Sequence, residues 1–429
     1  MRRAITLAAL AGSVCVAGIA AQAVPDSSQA ARVDAAYRRT QNLRIDPFRH
    51  AFLPGWGLVI STGVWAENSA LNLKDVRAFQ YIDDNDKLLV TDLIDALGLI
   101  PRGSGLGVTT VSENGLYLGG PIGGHLGLGV TAQARVYGGG SIDDDALAFI
   151  RDGNGSRQDF SLGDSRGEGI VTGEVGLHSL IRLGPLASVD GAVVTLGLGG
   201  RYLWSQGYVR VRSLVADGGS IRIAPDGVSA SFDIETLVTQ DIDEQLPNFD
   251  RGTGLAGDLM VRVEWPTSGL AFEGMLANVG KIKVLDVERR TARLDVVTSN
   301  LIEFADSLDA LDWVTDTVDV EVNLPRLVRF SASGWANRIL QLDVSTTFGL
   351  NTGEYDLPLA VDLGTTWRFV RAFPLRVGVV AGGHGGLGYT GGVAIETGNF
   401  ILQVAGGSLG GLFGNATGAA GRLDLGFYF

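Results

Sequence analysis

The sequence contains almost no cysteine. The single Cys15 lies near the N-terminus, so the rest of the chain excludes a disulfide scaffold and a thiolate metal site. Histidine is rare as well: His50, His125, His178 and His384 are scattered, and none has a partner at the spacing of metal ligands or of a His–Ser catalytic pair. The sequence therefore predicts no catalytic residue, no metal site and no cofactor.

Positive charge is also in deficit. The 429 residues hold 34 lysines and arginines against 47 aspartates and glutamates, a formal net charge of −13 at pH 7. Such an acidic chain is poorly suited to neutralise phosphates, which argues against a nucleic-acid partner. Beyond the N-terminal stretch, uninterrupted apolar runs long enough for a transmembrane helix are missing.

The N-terminal stretch MRRAITLAALAGSVCVAGIAAQAVPDSS has the three parts of a secretory signal. Two arginines start it, an apolar run follows over 4–20, and Ala-Gln-Ala at 21–23 is a small-x-small cleavage site. A membrane anchor is the less favoured alternative, because the apolar run is short. We predict a signal peptide at 1–23, a periplasmic or plug segment at 24–50 and a barrel at 51–429.

Glycine, by contrast, is abundant with 62 residues, and short alternating segments fill the chain. The last stretch, GRLDLGFYF, alternates apolar and polar residues, as do GDLMVRVEW, RILQLDVSTTFGL, PLAVDLGTTWRFV and FPLRVGVV. Strict alternation predicts β-strands with one apolar face and one polar face. We therefore predict an all-β fold, a transmembrane antiparallel β-barrel of about 14 strands, with apolar side chains outside and polar residues or glycines inside.

A soluble β-sandwich would alternate in the same way, but two features argue against it. Six of the seven tryptophans fall in or at the ends of predicted strands, as an interfacial aromatic girdle requires: Trp56, Trp65, Trp204, Trp265, Trp335 and Trp367. The chain also ends on a strand with Leu425, Phe427 and Phe429 on its apolar face, which resembles the signal that the barrel assembly machinery recognises. Outer-membrane lipid and that machinery are the expected partners, in a diderm bacterium.

Strand parity also predicts which charged side chains point into the lumen. They are Arg262, Glu264, Asp343, Asp362, Arg368, Arg376, Arg422 and Asp424. Inward charges of both signs either pair and fill a narrow interior or set a field across a water-filled pore. Interior glycines such as Gly197, Gly199, Gly364 and Gly378 either leave room or let neighbouring side chains pack closely; the sequence does not separate these alternatives.

Two segments interrupt the strand pattern. DDNDKLLVTDLIDALG at 83–98 and SNLIEFADSLDALDWVTD at 299–316 place apolar residues at helical spacing, so both are predicted as short amphipathic helices in loops or in the lumen. The polar face of the second helix is acidic. Such helices either pack over a barrel mouth, enter the lumen as a plug or gate, or dock a partner protein.

Two motif-like stretches are assigned to connections. GHGGLG at 383–388 matches a dinucleotide fingerprint in its letters, but it joins two strands, so a glycine-rich hairpin is predicted. DGNGSRQD at 152–159 begins like a calcium loop, but Arg157 replaces the required glycine. It is assigned to a long polar loop at about 138–167.

The order of these elements resembles a known group of proteins. GTGLAGDLMVRVEW, GMLANVGKI and, after the second helix, VNLPRLVRFSASGW are similar to elements of the outer-membrane barrels related to the long-chain fatty-acid transporters (FadL-like), the PorV-type and the TraF-like proteins. GTGLAGD at 252–258 is an off-spacing version of their Gly-x-Gly-x-Asp strand start, and Leu-Pro at 324–325 matches their strand-opening Leu-Pro. The resemblance implies the barrel fold more than any substrate.

Function is predicted at the level of a class. The barrel pattern, the polar lumen and the resemblance favour a porin-like channel or a transporter of small or hydrophobic compounds. The alternative is a closed structural or secretion-associated barrel that docks partner proteins, for which the acidic segment 299–316 is the motivation. An enzyme is the least favoured class.

Overall fold

The computed structural model describes residues 46–48, 55–76, 100, 103, 105–123, 125–152, 159–161, 163, 165–186, 191–214, 219–224, 227–239, 251–266, 268–299, 312–337, 339–350, 355, 357–370, 372–397 and 399–429. Within these residues lie two helices, α1 (Leu73–Val76) and α2 (Asp144–Asp152), and a 3-10 turn at Phe413–Asn415. The described strands are β1 (Gly57–Asn68), β2 (Leu106–Ile122), β3 (Leu126–Ile142), β4 (Asp159–Ser161), β5 (Arg166–Leu186), β6 (Ala192–Ser213), β7 (Ser220–Ala224), β8 (Gly227–Thr239), β9 (Thr253–Trp265), β10 (Leu270–Thr298), β11 (Val314–Asn323), β12 (Arg326–Trp335), β13 (Leu340–Leu350), β14 (Ala360–Val370), β15 (Phe373–Gly382), β16 (Gly386–Glu396), β17 (Phe400–Leu409) and β18 (Gly418–Tyr428).

The strands close into an antiparallel barrel, and its 14 strands confirm the predicted number. The first strand pairs with the last, in a register that runs from Gly57 opposite Tyr428 to Glu67 opposite Gly418. This pairing closes the wall, because β1 and β18 each have a partner strand on both sides. The wall consists of β1, β2, β3, β5, β6, β9, β10, β12, β13, β14, β15, β16, β17 and β18.

Connections differ in length between the two ends of the barrel. At the end that holds Gly57 and Tyr428, strands are joined by short turns such as 266–269 and 397–399. At the opposite end several connections are much longer, for example 69–105, although the β15–β16 turn at 383–385 is short. We call these the short-turn end and the long-loop end; in outer-membrane barrels short turns face the periplasm and long loops face the exterior.

Two wall positions continue beyond the barrel at the long-loop end. β8 stands above β9, and β11 stands above β12, because the 29-residue β10 pairs with all four strands along its length. Register shifts in β10 coincide with Asn278 (φ 62°) and Asp286 (φ 54°), the two non-glycine residues with left-handed backbone among those described. A bulge adds one residue and bends its strand. The extra layer is completed by β7 and β4.

The outer face of the wall is apolar, as the alternation predicts. On β9 the exposed residues include Leu255, Leu259 and Val261, whereas Asp258 and Arg262, on the opposite face, are buried. The same alternation holds on β14, β15 and β18. Since charged residues are buried and aliphatic ones exposed, the burial order is the reverse of a soluble protein, as expected for a barrel whose solvent is lipid.

Several local predictions need correction. Val314, Thr315 and Asp316 start β11, so the predicted helix 299–316 cannot extend that far; residues 300–311 and the predicted helix 83–98 lie outside the described residues. The predicted polar loop at 138–167 contains the end of β3, helix α2, β4 and the start of β5. Within the described residues, no helix is long and apolar enough to cross a membrane.

The tryptophan girdle is only partly as predicted. Trp56 is exposed, but Trp65 and Trp335 are buried, at 5% and 3% exposure. Trp65 packs inside with residues of β14, β15, β17 and β18. The GHGGLG prediction is confirmed: β15 and β16 form a hairpin around it, with Gly382 paired to Gly386.

Candidate functional site in the barrel interior

The eight residues predicted to face the lumen all lie in or beside buried ion pairs. Six of them are buried and two, Glu264 and Asp362, are half-buried. Arg376 donates to Asp343 at 2.7 Å and to Asp362 at 3.0 Å, and Arg368 lies 3.0 Å from Glu396. Burial is what an inward-facing position requires, and a role in the lumen stays a prediction for all eight: Arg262, Glu264, Asp343, Asp362, Arg368, Arg376, Arg422 and Asp424.

A row of alternating charges runs along the inner face from β18 to β9. We call it the charged layer. Each member is at most 9% exposed. Of the seven, Arg422 and Asp424 were predicted from the sequence to face the lumen; the other five were not predicted, although the alternation around some of them also marks an inward-facing position. The members are Asp424, Arg422, Glu113, Arg135, Glu174, Arg201 and Asp258.

The first half of the charged layer joins β18 to β5. Arg422 donates to Asp424 at 3.1 Å and, from Nη1, to Glu113 at 3.1 Å. Glu113 also lies 2.8 Å from Nη2 of Arg135, whose Nη1 lies 3.3 Å from Glu174. Each interior member therefore touches two opposite charges, which is the arrangement that offsets the cost of removing ions from water.

The second half centres on Arg201. Its Nη1 lies 2.5 Å from Glu174, and its Nε and Nη2 donate to the two carboxylate oxygens of Asp258 at 2.9 and 3.0 Å. Nη2 also donates to Oδ1 of Asn278 at 2.6 Å. This bidentate geometry uses the planar fork of the guanidinium, so a lysine could not replace it.

Asn278 completes this end of the layer because of its left-handed backbone. Its own N–H donates to Asp258 at 2.9 Å, and its side-chain amide donates to the carbonyl of Pro325 at 3.0 Å. Asparagine tolerates positive φ better than other non-glycine residues, which suits it to the β10 bulge. The bulge thus places Asn278, which is fully buried, in contact with β6, β9 and the connection between β11 and β12.

A glycine allows the charged layer to cross the strand that lies between two of its members. Gly63 on β1 is in register with both Arg422 and Glu113, which sit on the strands to either side. A Cβ at Gly63 would lie 3.2 Å from Nη1 of Arg422, so the arginine side chain passes over the glycine. Arg376 passes over Gly364 in the same way, where a Cβ would meet its Nη2 at 2.4 Å. We call this arrangement an arginine-over-glycine crossing.

The predicted interior glycines therefore provide close approach, not empty room. A Cβ at Gly199 would lie 2.7 Å from the ring of His178, and one at Gly197 would lie 2.9 Å from the ring of Phe48. A Cβ at Gly378 would meet the hydroxyl of Thr390 at 2.6 Å. The sequence left this choice open, and the structure decides it for close packing.

Residues 46–48, from the segment N-terminal to the barrel, lie inside it. Asp46 accepts from Arg329 at 2.8 Å, and Arg329 also lies 2.9 Å from Glu273. Phe48 is 2% exposed and packs edge-on against His178, with ring centroids 5.6 Å apart. Its buried neighbours include Leu180, Met260, Met275, Ala277 and Leu327.

Toward the long-loop end the interior becomes apolar. One cluster brings together residues of β3, β5, β6, β8, β9, β10 and β11 with Tyr355 from the connection before β14. A second cluster surrounds Trp65. The expectation of polar residues or glycines inside is therefore wrong at this end. On β10 and β11 the inward side chains Ile282, Val284, Val320 and Val322 are buried, whereas Lys281, Lys283, Asp319 and Glu321 on the other face are exposed, so the alternation is inverted here.

Two small voids lie on either side of the charged layer. Each measures about 30 Å³, room for roughly two water molecules. The upper void, toward the long-loop end, is lined mainly by apolar residues such as Trp65, Val111 and Leu327. The lower void is lined by polar residues, among them Asp46 and His178. Glu113 and Arg422 line both voids.

The described residues contain no group of three or more histidines, aspartates or glutamates arranged to hold a metal ion. The described part of DGNGSRQD is confined to its two ends, since residues 153–158 are outside the description. The arrangement of the interior is therefore one of paired charge and apolar contact.

Solved structures of similar fold are transporters and channels. A deltaS2S3 variant of TodX, described as a monoaromatic hydrocarbon channel, shares 9% identity, covers 92% of this chain and 98% of its own, and superposes with a TM-score of 0.51. The toluene transporter TodX of P. putida shares 7% identity over 90% of this chain and 93% of its own, at a TM-score of 0.47. A Pseudomonas aeruginosa FadL homologue shares 12% identity over 95% and 98%, at 0.46.

At such identities the first of these likenesses shows the barrel fold and nothing finer. No protein-family model matches the chain, and no curated protein matches its sequence. The FadL-like part of the expected resemblance is confirmed for the fold. Its PorV-type and TraF-like parts stay a prediction.

Proposed function

We propose that this protein is an outer-membrane transporter for small hydrophobic compounds, held closed in this conformation. The observation that carries the proposal is the apolar lining of the barrel interior at the long-loop end. Outer-membrane barrels that conduct water and ions have polar interiors. Apolar walls inside a membrane barrel are instead suited to bind a hydrophobic compound that is poorly soluble in water.

Among the described residues, the packing around the charged layer supports a closed barrel over a permanently open porin. The charged layer spans the wall from β18 to β9, and Asp46 and Phe48 fill space beside it. A monoaromatic hydrocarbon, the compound class named for the TodX channel, is larger than either void. Passage therefore requires the apolar walls to separate and the charged layer to part. We assign Arg422 and Asp424, two of the eight lumen residues predicted from the sequence, to this closure, and we assign the chain no catalytic role.

Location and biogenesis follow the same proposal. The signal peptide at 1–23 exports the chain, the segment 24–50 acts as a plug, and the exposed aliphatic belt meets outer-membrane lipid. Leu425, Phe427 and Phe429 end the strand that closes the barrel, and we propose that the assembly machinery reads them.

The test is uptake of radiolabelled toluene by a diderm bacterium that lacks its own hydrocarbon channels. Cells expressing the protein should accumulate toluene several-fold faster than cells expressing a closed barrel of similar size at the same outer-membrane level. Equal rates, with the protein shown to be folded by heat-modifiable gel migration, would contradict the proposal and favour the closed structural barrel, which the dense ion pairing also fits.

A further inference from the structure

The link between Glu113 and Arg422 differs from every other link of the charged layer. It is the one that crosses a strand, passing over Gly63 of β1, and its two residues line both the upper and the lower void. Along β1, Ser61 borders the lower void, and Trp65 and Glu67 border the upper one. The link therefore forms the partition between the two voids.

The same link can break without leaving an isolated charge. Arg422 keeps Asp424 at 3.1 Å and also donates to the hydroxyl of Ser61 at 2.6 Å. Glu113 keeps Arg135 at 2.8 Å. Breaking a buried pair is costly chiefly when it leaves a charge uncompensated, and here both partners remain paired. The contact is thus free to open while the rest of the layer stays intact.

From these observations we propose that Glu113 and Arg422 form a gate between two chambers of the lumen, with Gly63 as the surface over which the Arg422 side chain swings. In the closed position the guanidinium bridges β18 to β2. In the open position it lies back against Asp424 and Ser61 on its own side of β1, and the upper and lower voids join. The inference deepens the proposed transport function, because it names the element that controls the path.

The chain supplies a matched control for this gate. Arg376 makes a second arginine-over-glycine crossing, above Gly364, and is as deeply buried in ion pairs with Asp343 and Asp362. Neither Arg376 nor Gly364 lines the two voids. Substitutions at the two crossings should thus cost the fold similarly and differ only in their effect on the partition.

The experiment compares R422M and G63V with R376M and G364V, each refolded and inserted into planar lipid bilayers. R422M removes the bridging charge, whereas G63V keeps every charge and displaces the arginine. We expect discrete conducting steps from R422M and G63V and the near-silence of the unmodified protein from R376M and G364V. Silent R422M and G63V barrels, shown to be folded by heat-modifiable migration, would overturn the gate. Equal conductance from all four variants would also overturn it, since it would indicate general loosening.

Measuring toluene uptake by the same variants distinguishes a failure of the proposed gate from a failure of the proposed transport function. If the unmodified protein transports toluene and the gate variants transport it no faster, the function stands and the gate fails. If the gate variants conduct ions but no variant moves toluene, the gate stands and the proposed substrate class fails.

Discussion

Arg201 is the residue whose loss should destabilise the barrel most clearly. It is 2% exposed and touches two carboxylates, Glu174 and Asp258, and the amide of Asn278. Replacement by methionine, R201M, removes the charge and keeps most of the volume. Removing one partner of a buried pair costs about 3–5 kcal/mol, because the remaining charge is left uncompensated.

Each of the two carboxylates that lose Arg201 keeps one other contact, so the destabilisation should not be counted twice. Glu174 retains Arg135 at 3.3 Å, and Asp258 retains the backbone N–H of Asn278 at 2.9 Å. We therefore expect R201M to lower the free energy of unfolding by about 3–5 kcal/mol in total. The assay is urea unfolding of the barrel in phospholipid vesicles, followed by the fluorescence of its seven tryptophans.

A neutralised set tests the physical reason for the loss. In E174Q/R201M/D258N the neighbouring Arg135 loses Glu174 but keeps Glu113 at 2.8 Å, and replacing buried ion pairs by neutral groups is often close to neutral. The triple variant should therefore recover most of the stability that R201M loses. R289M is the control, since Arg289 sits in an exposed pair with Asp316 and its loss should leave the urea midpoint of the whole barrel unchanged. A loss below about 1 kcal/mol for R201M, or a triple variant no more stable than R201M, would refute the reasoning.

Three further predictions concern single elements of the structure. F48A empties a buried contact and should expose the segment around residue 48 to limited proteolysis, while barrel unfolding, measured in parallel, changes far less; equal protection from protease would contradict the proposed plug. N278A should be less stable in urea than N278G by about 1 kcal/mol, because both lose the amide contacts but only alanine is strained at φ 62°; equal midpoints would argue against backbone strain. Hydrogen bonds from Arg289 and Lys283 hold the pKa of Asp316 and Asp319 below their ordinary 3.8, so these pairs support β11 above that value and are lost as the pH falls through the lowered pKa. Hydrogen exchange of β11, corrected for intrinsic rates, should rise in acid, and the D316N/D319N variant should show little of this rise.

The sequence predicts the wall of this barrel well, because the wall depends on a local rule. Alternation places Arg422 and Asp424 opposite Leu423 and Phe427, and the structure keeps that order. The same parity places Trp65 on the face of Ser61 and Gly63, the inner face. Counting tryptophans near strand ends ignored parity, and that is why the girdle prediction is wrong for Trp65 and Trp335.

The interior is harder to predict, because it depends on register between strands far apart in sequence. The local alternation of TAQARVYGG and VTGEVGLHSL marks Arg135 and Glu174 as inward-facing, so these residues were open to prediction. That Arg422 would reach Glu113, 309 positions away, was not, since it requires the closure of β18 on β1. The left-handed backbone of Asn278 leaves no signature in the sequence beyond a residue that tolerates it.

A hydrophobic ligand alone should not open the charged layer. A ligand shifts an equilibrium only by the difference between its affinities for the two states. Between the apolar walls it exchanges one apolar contact for another, so the walls separate at little cost. It offers no hydrogen-bond acceptor to Arg422, and the link to Glu113 therefore depends on acceptors within the chain. Asp424 and Ser61 already supply these acceptors. The rate of passage should therefore depend on how often the Arg422 side chain moves across Gly63. Substitution at Gly63 should change this rate more than the size of the ligand does.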